Sequence, residues 1–377
     1  MKNILLATVV AATLATPAFA ELRINGFANL VAGKSNKDTG VMGYDDNIDF
    51  SQQSNFAIQF DADINDDVTA TAQLIARGEN DYDVDMEWAY LTYQVNNELA
   101  VSAGRLRMPL FMYSASLDIG YSYHWITAPE SVYSVPFDRI DGTQVTYTSY
   151  NKYFDYSLQA AFGSSDTTIE SDDQQSHIQN DNAIALVGQI SKDNLTLRGV
   201  VARADGTFKI SSIEPAIDAL TALDPSLGDL LAIDDDSGQF YGLGFSYDNL
   251  DWFLMGEYTV VEIADSFYPK ETSSYISAGF RKGKFTPFVS IESQDLNNEL
   301  KFMDSALFLP DGQQQTALAI IRGVQQPFAF EQVSTTVGLR YDVKTGMALK
   351  LDATRTNDKI YENLDTTLIR AAVSYVF

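Results

Sequence analysis

The sequence is poor in the residues from which most active sites are built. Its 377 residues include no cysteine and only two histidines, His124 and His177. A chain without cysteine forms no disulfide, and this suits a protein that crosses the oxidising periplasm before it folds. Nucleophilic triads need a base such as histidine, and neither a His-Glu-x-x-His motif nor a nucleophile elbow is present. The sequence therefore predicts no catalytic residues and no cofactor.

Basic residues are also scarce. Lysine and arginine together number 25 against 51 aspartates and glutamates, which gives a formal net charge of -26 at pH 7. Nucleic-acid binding depends on clustered basic side chains that neutralise phosphates. This composition excludes nucleic acid as an expected partner.

Beyond residue 20 the sequence has no apolar run long enough for a transmembrane helix. Within the first twenty residues, Lys2 precedes an apolar stretch over 4–15, and Ala18-Phe19-Ala20 has the small-x-small pattern cut by signal peptidase. We predict a signal peptide over residues 1–20, with cleavage after Ala20. Residues 21–377 are predicted to form a single domain.

In the remaining chain, apolar and polar residues alternate at successive positions. This pattern is typical of strands that face lipid on one side and water on the other. Sixteen strands are predicted, near 22–34, 53–64, 67–77, 86–96, 98–106, 143–150, 152–163, 182–191, 194–203, 239–248, 250–261, 272–282, 284–292, 330–342, 345–356 and 366–377.

The predicted connections are of two kinds that alternate along the chain. Seven are tight polar turns, and eight are longer, over 35–52, 78–85, 107–142, 164–181, 204–238, 262–271, 293–329 and 357–365. An even strand count with short turns at one rim is the arrangement of outer-membrane proteins. The fold class expected is all-β, a closed antiparallel 16-stranded transmembrane β-barrel with short periplasmic turns and long extracellular loops.

The period of two assigns each residue to a face of the sheet. In the last strand Ile369 and Val373 share one face, and Arg370 lies on the other. A charge facing lipid at mid-depth costs a few kcal/mol, so the apolar face must be outside and the polar face inside. Outward aromatic residues near the short turns predict an interfacial girdle formed by Tyr93, Phe245, Tyr247, Trp252, Phe285, Tyr341, Tyr375 and Phe377.

With its start at Glu21-Leu22-Arg23-Ile24-Asn25-Gly26-Phe27, its alternating strands and its final Ser374-Tyr375-Val376-Phe377, the chain resembles the Gram-negative general porins. The resemblance implies a homotrimer in the bacterial outer membrane whose third extracellular loop folds into the lumen. The terminal aromatic residue resembles the signal read by the barrel-assembly machinery. Outer-membrane lipid and lipopolysaccharide are the other partners implied. The third long connection here, 107–142, lacks the acidic Pro-Glu-Phe-Gly-Gly type of tip.

Inward-facing basic residues are the candidate lumen residues. By alternation they are Arg23, Arg77, Arg198, Arg281, Arg340, Lys350 and Arg370, and the 107–142 loop adds Arg107, Asp118, Glu130 and Asp138. We predict that Arg77, Arg340 and Arg370 lie near the waist, opposite Asp118, Glu130 or Asp138, and create a transverse field. In the alternative, these arginines pair with lumen acids such as Asp61, Asp63, Asp352, Glu257 and Glu292.

The long connections carry clustered acids. Asp81, Asp83 and Asp85 have the rhythm of a calcium loop without its glycine and distal glutamate, so they are only a weak metal candidate beside diffuse divalent bridging to lipopolysaccharide. Further clusters are Asp45, Asp46 and Asp49; Asp172 and Asp173; and Asp234, Asp235 and Asp236. Residues 213–231 predict an amphipathic helix broken at Pro225, and residues 306–320 a similar helical piece.

Three functions are compatible with these features. Passive diffusion of ions and small hydrophilic solutes through a water-filled pore is the function that the resemblance implies. A substrate-selective porin for phosphate, a dicarboxylate or a sugar would share every feature used so far. An outer-membrane hydrolase is the remote alternative, because the base that its triad needs is scarcely available.

Overall fold

The computed structural model describes residues 21–38, 42–135, 138–171, 174–296, 299–361 and 364–377. The predicted signal peptide and its cleavage site lie outside these residues, as do Asp172 and Asp173. The described residues form sixteen strands: β1 Glu21–Ser35, β2 Asn55–Asn65, β3 Val68–Arg77, β4 Val84–Gln94, β5 Leu99–Arg107, β6 Arg139–Tyr150, β7 Asp155–Ser171, β8 Gln174–Lys192, β9 Leu195–Ile210, β10 Ile233–Asp248, β11 Trp252–Ile263, β12 Glu271–Phe280, β13 Phe285–Leu296, β14 Phe330–Lys344, β15 Met347–Asp358 and β16 Thr366–Val376.

Each strand pairs antiparallel with its sequence neighbours, and β1 pairs with β16 to close the sheet. The closing register runs from Phe27 opposite Val376 to Ser35 opposite Leu368. Closure satisfies the backbone groups of the first and last strands, which would otherwise be unpaired in hydrocarbon. The predicted 16-stranded antiparallel barrel is confirmed.

The short turns have a shared local cause. In four of them an asparagine side chain accepts hydrogen bonds from the backbone N–H groups two and three residues later, at Asn65, Asn96, Asn151 and Asn249. This side-chain carbonyl imitates a backbone turn and reverses the chain within a few residues. One rim of the barrel is therefore built of tight turns.

Along β15 and β16 the outer face is apolar and the inner face largely polar, as the alternation predicts. Leu351 and Ile369 are 54% and 57% exposed on the outside, whereas Arg370 between the outward residues of β16 is 3% exposed. Among the described residues, no helix has the length and apolar character needed to cross a bilayer.

Two of the predicted long loops are wrong in extent. The segment 164–181 is mostly strand, because β7 runs to Ser171 and β8 starts at Gln174, and β9 and β10 similarly extend into 204–238. Beyond the alternating region these extensions pair with one another. In the β7–β8 pairing Thr168 is opposite His177, and in the β8–β9 pairing Asp181 is opposite Asp205. Most of their residues are polar, with Ile178, Phe208 and Ile233 among the exceptions, so they lack the regular alternation on which the strand boundaries were based.

The helices lie in the connections. They are α1 Glu130–Tyr133, α2 Glu214–Leu223, α3 Pro225–Gly228 and α4 Asp311–Gln325, with 3-10 turns at Gly78–Asn80, Ser114–Ser116, Gly120–Ser122, Met303–Ala306 and Gln326–Phe328. The break at Pro225 agrees with the prediction. Buried apolar residues of α2, α3 and α4 pack together with Phe267, between β11 and β12, into an apolar cluster at the long-loop rim.

Candidate functional site

The connection between β5 and β6, residues 108–138, contacts the inward face of strands on both sides of the barrel. We call it the inner loop; residues 136 and 137 within it are not described. The predicted segment 107–142 was slightly longer, because Arg107 ends β5 and 139–142 begin β6. Its contacts differ in kind on the two sides.

Toward β10–β13 the inner loop is packed by aromatic rings. Phe111 lies 5.6 Å from Phe240 of β10, and Trp125 lies 5.5 Å from Tyr275 of β12, both edge to face. Tyr133 of α1 stacks at 4.7 Å on Phe111. Aromatic pairs prefer these arrangements and bury large areas. This part of the barrel interior is therefore filled; we call the wall that faces it, β10–β13, the filled wall.

Two wall glutamates and one serine bond to the polar groups of the loop. Glu257 of β11 accepts hydrogen bonds from the Tyr133 hydroxyl and from the backbone N–H of Met112, the latter at 2.8 Å. Glu292 of β13 accepts from the N–H and hydroxyl of Ser131 at 3.2 and 3.1 Å. Trp125 Nε1 donates to Ser277 Oγ at 3.1 Å. These donors of the loop are thus satisfied by side chains of the filled wall, as buried donors require.

Three basic side chains of β14–β16 hold the backbone of the loop, and we call them the anchor cluster. Arg340 Nη1 donates to the carbonyls of Tyr121 and Tyr123 at 2.8 and 2.7 Å. Lys350 Nζ donates to the carbonyls of Gly120 and Trp125. Arg370 Nη1 donates to Thr127 Oγ1 at 2.9 Å and pairs through Nη2 with Asp352 at 2.8 Å.

Gly120 marks the closest approach of the loop to β1. A Cβ atom at this position would lie 2.7 Å from the side-chain amide of Asn29. A residue with a side chain would therefore push the loop away from the wall. The glycine permits the carbonyl of residue 120 to reach Lys350.

Toward β3–β5 the loop is held by charge. Asp118 accepts from Arg77 of β3 at 2.9 Å and from Arg107 at 2.6 Å, and both arginines also pair with Glu87 of β4. Asp138 lies 3.5 Å from Arg107. We call Arg77, Glu87, Arg107 and Asp118 the ion cluster.

The arginines of the ion cluster keep Asp118 ionised. Burial alone would raise the pKa of Asp118, but Arg107 and Arg77 outweigh it and hold that pKa below its usual range. Both pairs are shielded from bulk water, since the Arg107 side chain is 6% exposed and that of Glu87 1%. Removing one partner from such a network leaves a buried charge uncompensated.

The positions of the other predicted lumen residues are as follows. Arg23 pairs with Asp63 near the short-turn rim, Arg281 pairs with Asp248 at 2.6 Å, and Arg198 donates to the Pro109 carbonyl at 2.5 Å. Glu130 begins α1 and is exposed. These residues are distributed along the interior rather than gathered in one ring.

Arg340 and Arg370 form their ion pairs with acids of the wall strands, Asp342 at 2.9 Å and Asp352 at 2.8 Å, and not with Asp118, Glu130 or Asp138. The pair with Asp352 is the one that the alternative prediction named. Their remaining donors bind the loop through Tyr121, Tyr123 and Thr127. Backbone carbonyl oxygens accept hydrogen bonds from a guanidinium as carboxylate oxygens do. Because every residue has a carbonyl, the residue types in the sequence do not show which carbonyls an arginine contacts.

The central carboxylate of the ion cluster, Glu87, was missed. A register shift in the β3–β4 pairing places Gln73 opposite Trp88 and Leu74 opposite Met86, so Glu87 is the extra residue of a bulge. As a result Glu87 and Trp88 are both buried although they are adjacent. Strict alternation assigns adjacent residues to opposite faces, so the sequence pattern could not find this pair.

The described residues contain no group of three or more histidines and acids placed to share a metal ion, and Asp85 of the weak calcium candidate pairs with Arg139 at 2.8 Å. His124 stacks 4.1 Å from Phe253, and burial lowers its pKa to about 3. His177, which lies on β8, contacts Thr168 and Asp166 through the same ring nitrogen, so it cannot relay a proton between them.

Two pockets with different charge flank the inner loop. One, the acidic pocket, has Arg77, Glu79, Asp118 and Glu130 as its charged lining residues. The other, the arginine pocket, has only Arg107 and Arg198. Arg77 of the ion cluster lines the acidic pocket and Arg107 lines the arginine pocket. The ion cluster therefore lies between the two pockets.

Comparisons with known proteins agree with this architecture. A sequence model of the Gram-negative porin family matches residues 7–377. No curated protein matches the sequence. The fold is similar to that of an anion-selective porin from Comamonas acidovorans, at 14% identity over 95% of this chain and 100% of that chain with a TM-score of 0.59.

Two further solved structures share the fold. The outer-membrane channel DcaP of Acinetobacter baumannii is 13% identical over 96% of this chain and 99% of that chain, with a TM-score of 0.58. The trimer form of the outer-membrane protein OmpT of Vibrio cholerae is 8% identical over 95% of this chain and 99% of that chain, with a TM-score of 0.55.

Proposed function

The chain belongs to the Gram-negative porin family, and we propose that the inner loop is the constriction of its outer-membrane channel. Ions and small hydrophilic solutes diffuse passively past the ion cluster, between the acidic pocket and the arginine pocket. The observation that carries this proposal is the asymmetry of the loop, which is packed against the filled wall and leaves polar pockets on its other side.

The ion cluster would act as a transverse field within this constriction. Arginines of β3 and β5 and the carboxylate of Asp118 are fixed by one another, so their charges keep a constant geometry while solutes pass. Charged rings and oriented dipoles favour polar solutes over apolar ones in narrow pores. The channel carries out no chemical step in this proposal, since neither histidine is placed as a catalytic base.

We further propose that the chain is exported with cleavage after Ala20 and assembles as a homotrimer with lipopolysaccharide around its outer leaflet. The alternating final strand that ends at Phe377 supports recognition by the barrel-assembly machinery. A trimer form is stated for the similar Vibrio cholerae protein. The exposed aromatic residues near the short turns, such as Trp252 and Tyr93, suit the headgroup level of the membrane.

A planar-bilayer recording of the purified protein tests this function. We expect ion conductance in KCl that rises linearly with salt concentration, and steps in groups of three if the trimer is the active unit. A protein that folds in detergent as a heat-modifiable barrel but carries no current would overturn the proposal.

A further inference from the structure

The arginine pocket lies against the inward faces of the strands from β4 to β9. Its polar lining includes the amides of Gln144, Gln159 and Gln189 together with Trp88, and its charged residues are Arg107 and Arg198. No aspartate or glutamate belongs to this lining. The acidic pocket has the opposite balance, with three carboxylates and one arginine.

Arg198 is the most weakly compensated of these cations. Among the described residues it forms no ion pair, and the carbonyl of Pro109 is the acceptor of its one hydrogen bond. Gln189 of β8 is directly opposite Arg198 in the β8–β9 register. The two side chains therefore stand side by side on the inner face.

Several donors in the pocket lining have no acceptor within the described protein. The Nε atoms of Arg107 and Arg198 and Nε1 of Trp88 are buried without a hydrogen-bond partner. Trp88 is 9% exposed, and the guanidinium of Arg107 lies over its ring at 5.2 Å. Buried polar groups are usually satisfied, so these three donors mark the lining as rich in donors and poor in acceptors.

We propose that the arginine pocket is a subsite for a solute oxyanion, a carboxylate or a phosphate, on its way through the channel. Arg198 supplies the charge, and the amides of Gln159 and Gln189 complete the hydrogen bonds to the oxygens. A guanidinium presents its donors in the planar fork that matches these groups. The inference rests on the proposed function and adds a solute class to it.

A neutral sugar is the competing occupant, because amides and aromatic rings also suit hydroxyl-rich solutes. The charge of the lining decides between the two. With a sugar bound, the guanidinium of Arg198 would still form no ion pair among the described residues, and the nearby carboxylate of Glu257 is engaged by Tyr133 and Met112. An oxyanion compensates the charge of Arg198 directly.

The test uses the full protein in planar bilayers in KCl, with inorganic phosphate, succinate or sucrose added on one side at matched ionic strength. We expect phosphate or succinate to reduce the conductance in a saturable manner and sucrose to have no saturable effect. The comparison of phosphate with succinate tells which oxyanion the subsite prefers. Calorimetry of phosphate or succinate binding to the detergent-solubilised protein provides a readout that is independent of current.

Substitution then locates the site. Arg198→Gln is expected to weaken the block by roughly tenfold or more, because a charge-assisted bond is lost. Arg203→Gln is the matched control, since Arg203 lies on the same strand, is exposed and pairs with Asp205. If Arg198→Gln does not fold, Gln189→Met in the same lining replaces it, with a smaller expected loss.

The outcomes separate the two proposals. Absence of any KCl current overturns the proposed function. A normal KCl current without saturable block by either oxyanion, with block by sucrose alone, or with block that Arg198→Gln and Gln189→Met leave unchanged, overturns the subsite while the channel function stands.

Discussion

The two sides of the barrel interior are built by different interactions, although one loop touches both. Toward the filled wall the inner loop buries Phe111, Trp125 and Tyr133 among aromatic residues of β10–β13. Toward β3–β5 it presents Asp118 to two arginines. Apolar packing is non-directional and excludes water, whereas the ion cluster fixes a geometry and leaves polar space beside it. Both polar pockets border this charged side.

The largest effect is expected from removing an aromatic residue on the filled side. Trp125→Ala deletes a side chain that is 3% exposed, and substitutions of this kind typically cost about 3–5 kcal/mol. The loop should then lose its fixed position, and single-channel recordings should show a larger and noisier conductance. Trp252→Ala, which removes an outward-facing tryptophan, is the control and should conduct like the parent protein. Equal conductance in both variants would contradict the packing account.

The next effect is expected from the charged side. Asp118→Asn leaves Arg77 and Arg107 with Glu87 as their shared carboxylate, and breaking one partner of a buried pair costs about 3–5 kcal/mol. Reversal potentials in a KCl gradient should shift toward anions because a negative charge is lost at the constriction. Asp83→Asn, an exposed loop acid, serves as the control. A shift of the same size in the control would locate the selectivity outside the ion cluster.

A smaller effect is expected from the anchor cluster. Lys350→Met removes the donor to the Gly120 and Trp125 carbonyls, and each carbonyl left unsatisfied costs about 1–3 kcal/mol. Because Arg340 still holds the neighbouring carbonyls, the conductance should keep its mean value and gain flicker. Lys152→Met at an exposed short turn is the matched control. Closed or fully open channels in Lys350→Met would show that the anchors do not act independently.

The smallest effect is expected from pH. The pKa of Asp118 is held below its usual range, near 3.9 for a free aspartate, so its charge is present throughout mildly acidic conditions. A lowered pKa contributes stability above the unfolded value, and that stability is lost only as pH falls through the folded value. Glu130 in the acidic pocket behaves differently, because its position away from bulk water and the charge of Glu292 raise its pKa to about 7. The shift in ion selectivity caused by Asp118→Asn should therefore be the same at pH 7 and pH 5. A smaller shift at pH 5 would contradict the assigned pairing.

The sequence was sufficient for the barrel but not for the whole site. Period-two alternation and short polar turns predict the strands because the lipid outside penalises any charged residue there. The many rings of 107–142 also indicate a loop that packs inside. Glu87 could not be predicted, since a bulge sets its face, nor could the extra length of β7–β10, where most residues are polar. Arg340 and Arg370 were placed in the interior, but the loop atoms that they contact depend on the path of the loop.

A cross-linking measurement tests most directly whether the inner loop lies on the filled wall. The chain has no cysteine, so Ser131→Cys with Glu292→Cys gives one unique pair at a contact of 3.1 Å in the parent protein. We predict that a short thiol cross-linker joins this pair in the folded barrel, and that Ser131→Cys with Gln159→Cys on β7 stays unlinked. Linking of the second pair without the first would place Ser131 away from the filled wall and contradict the account.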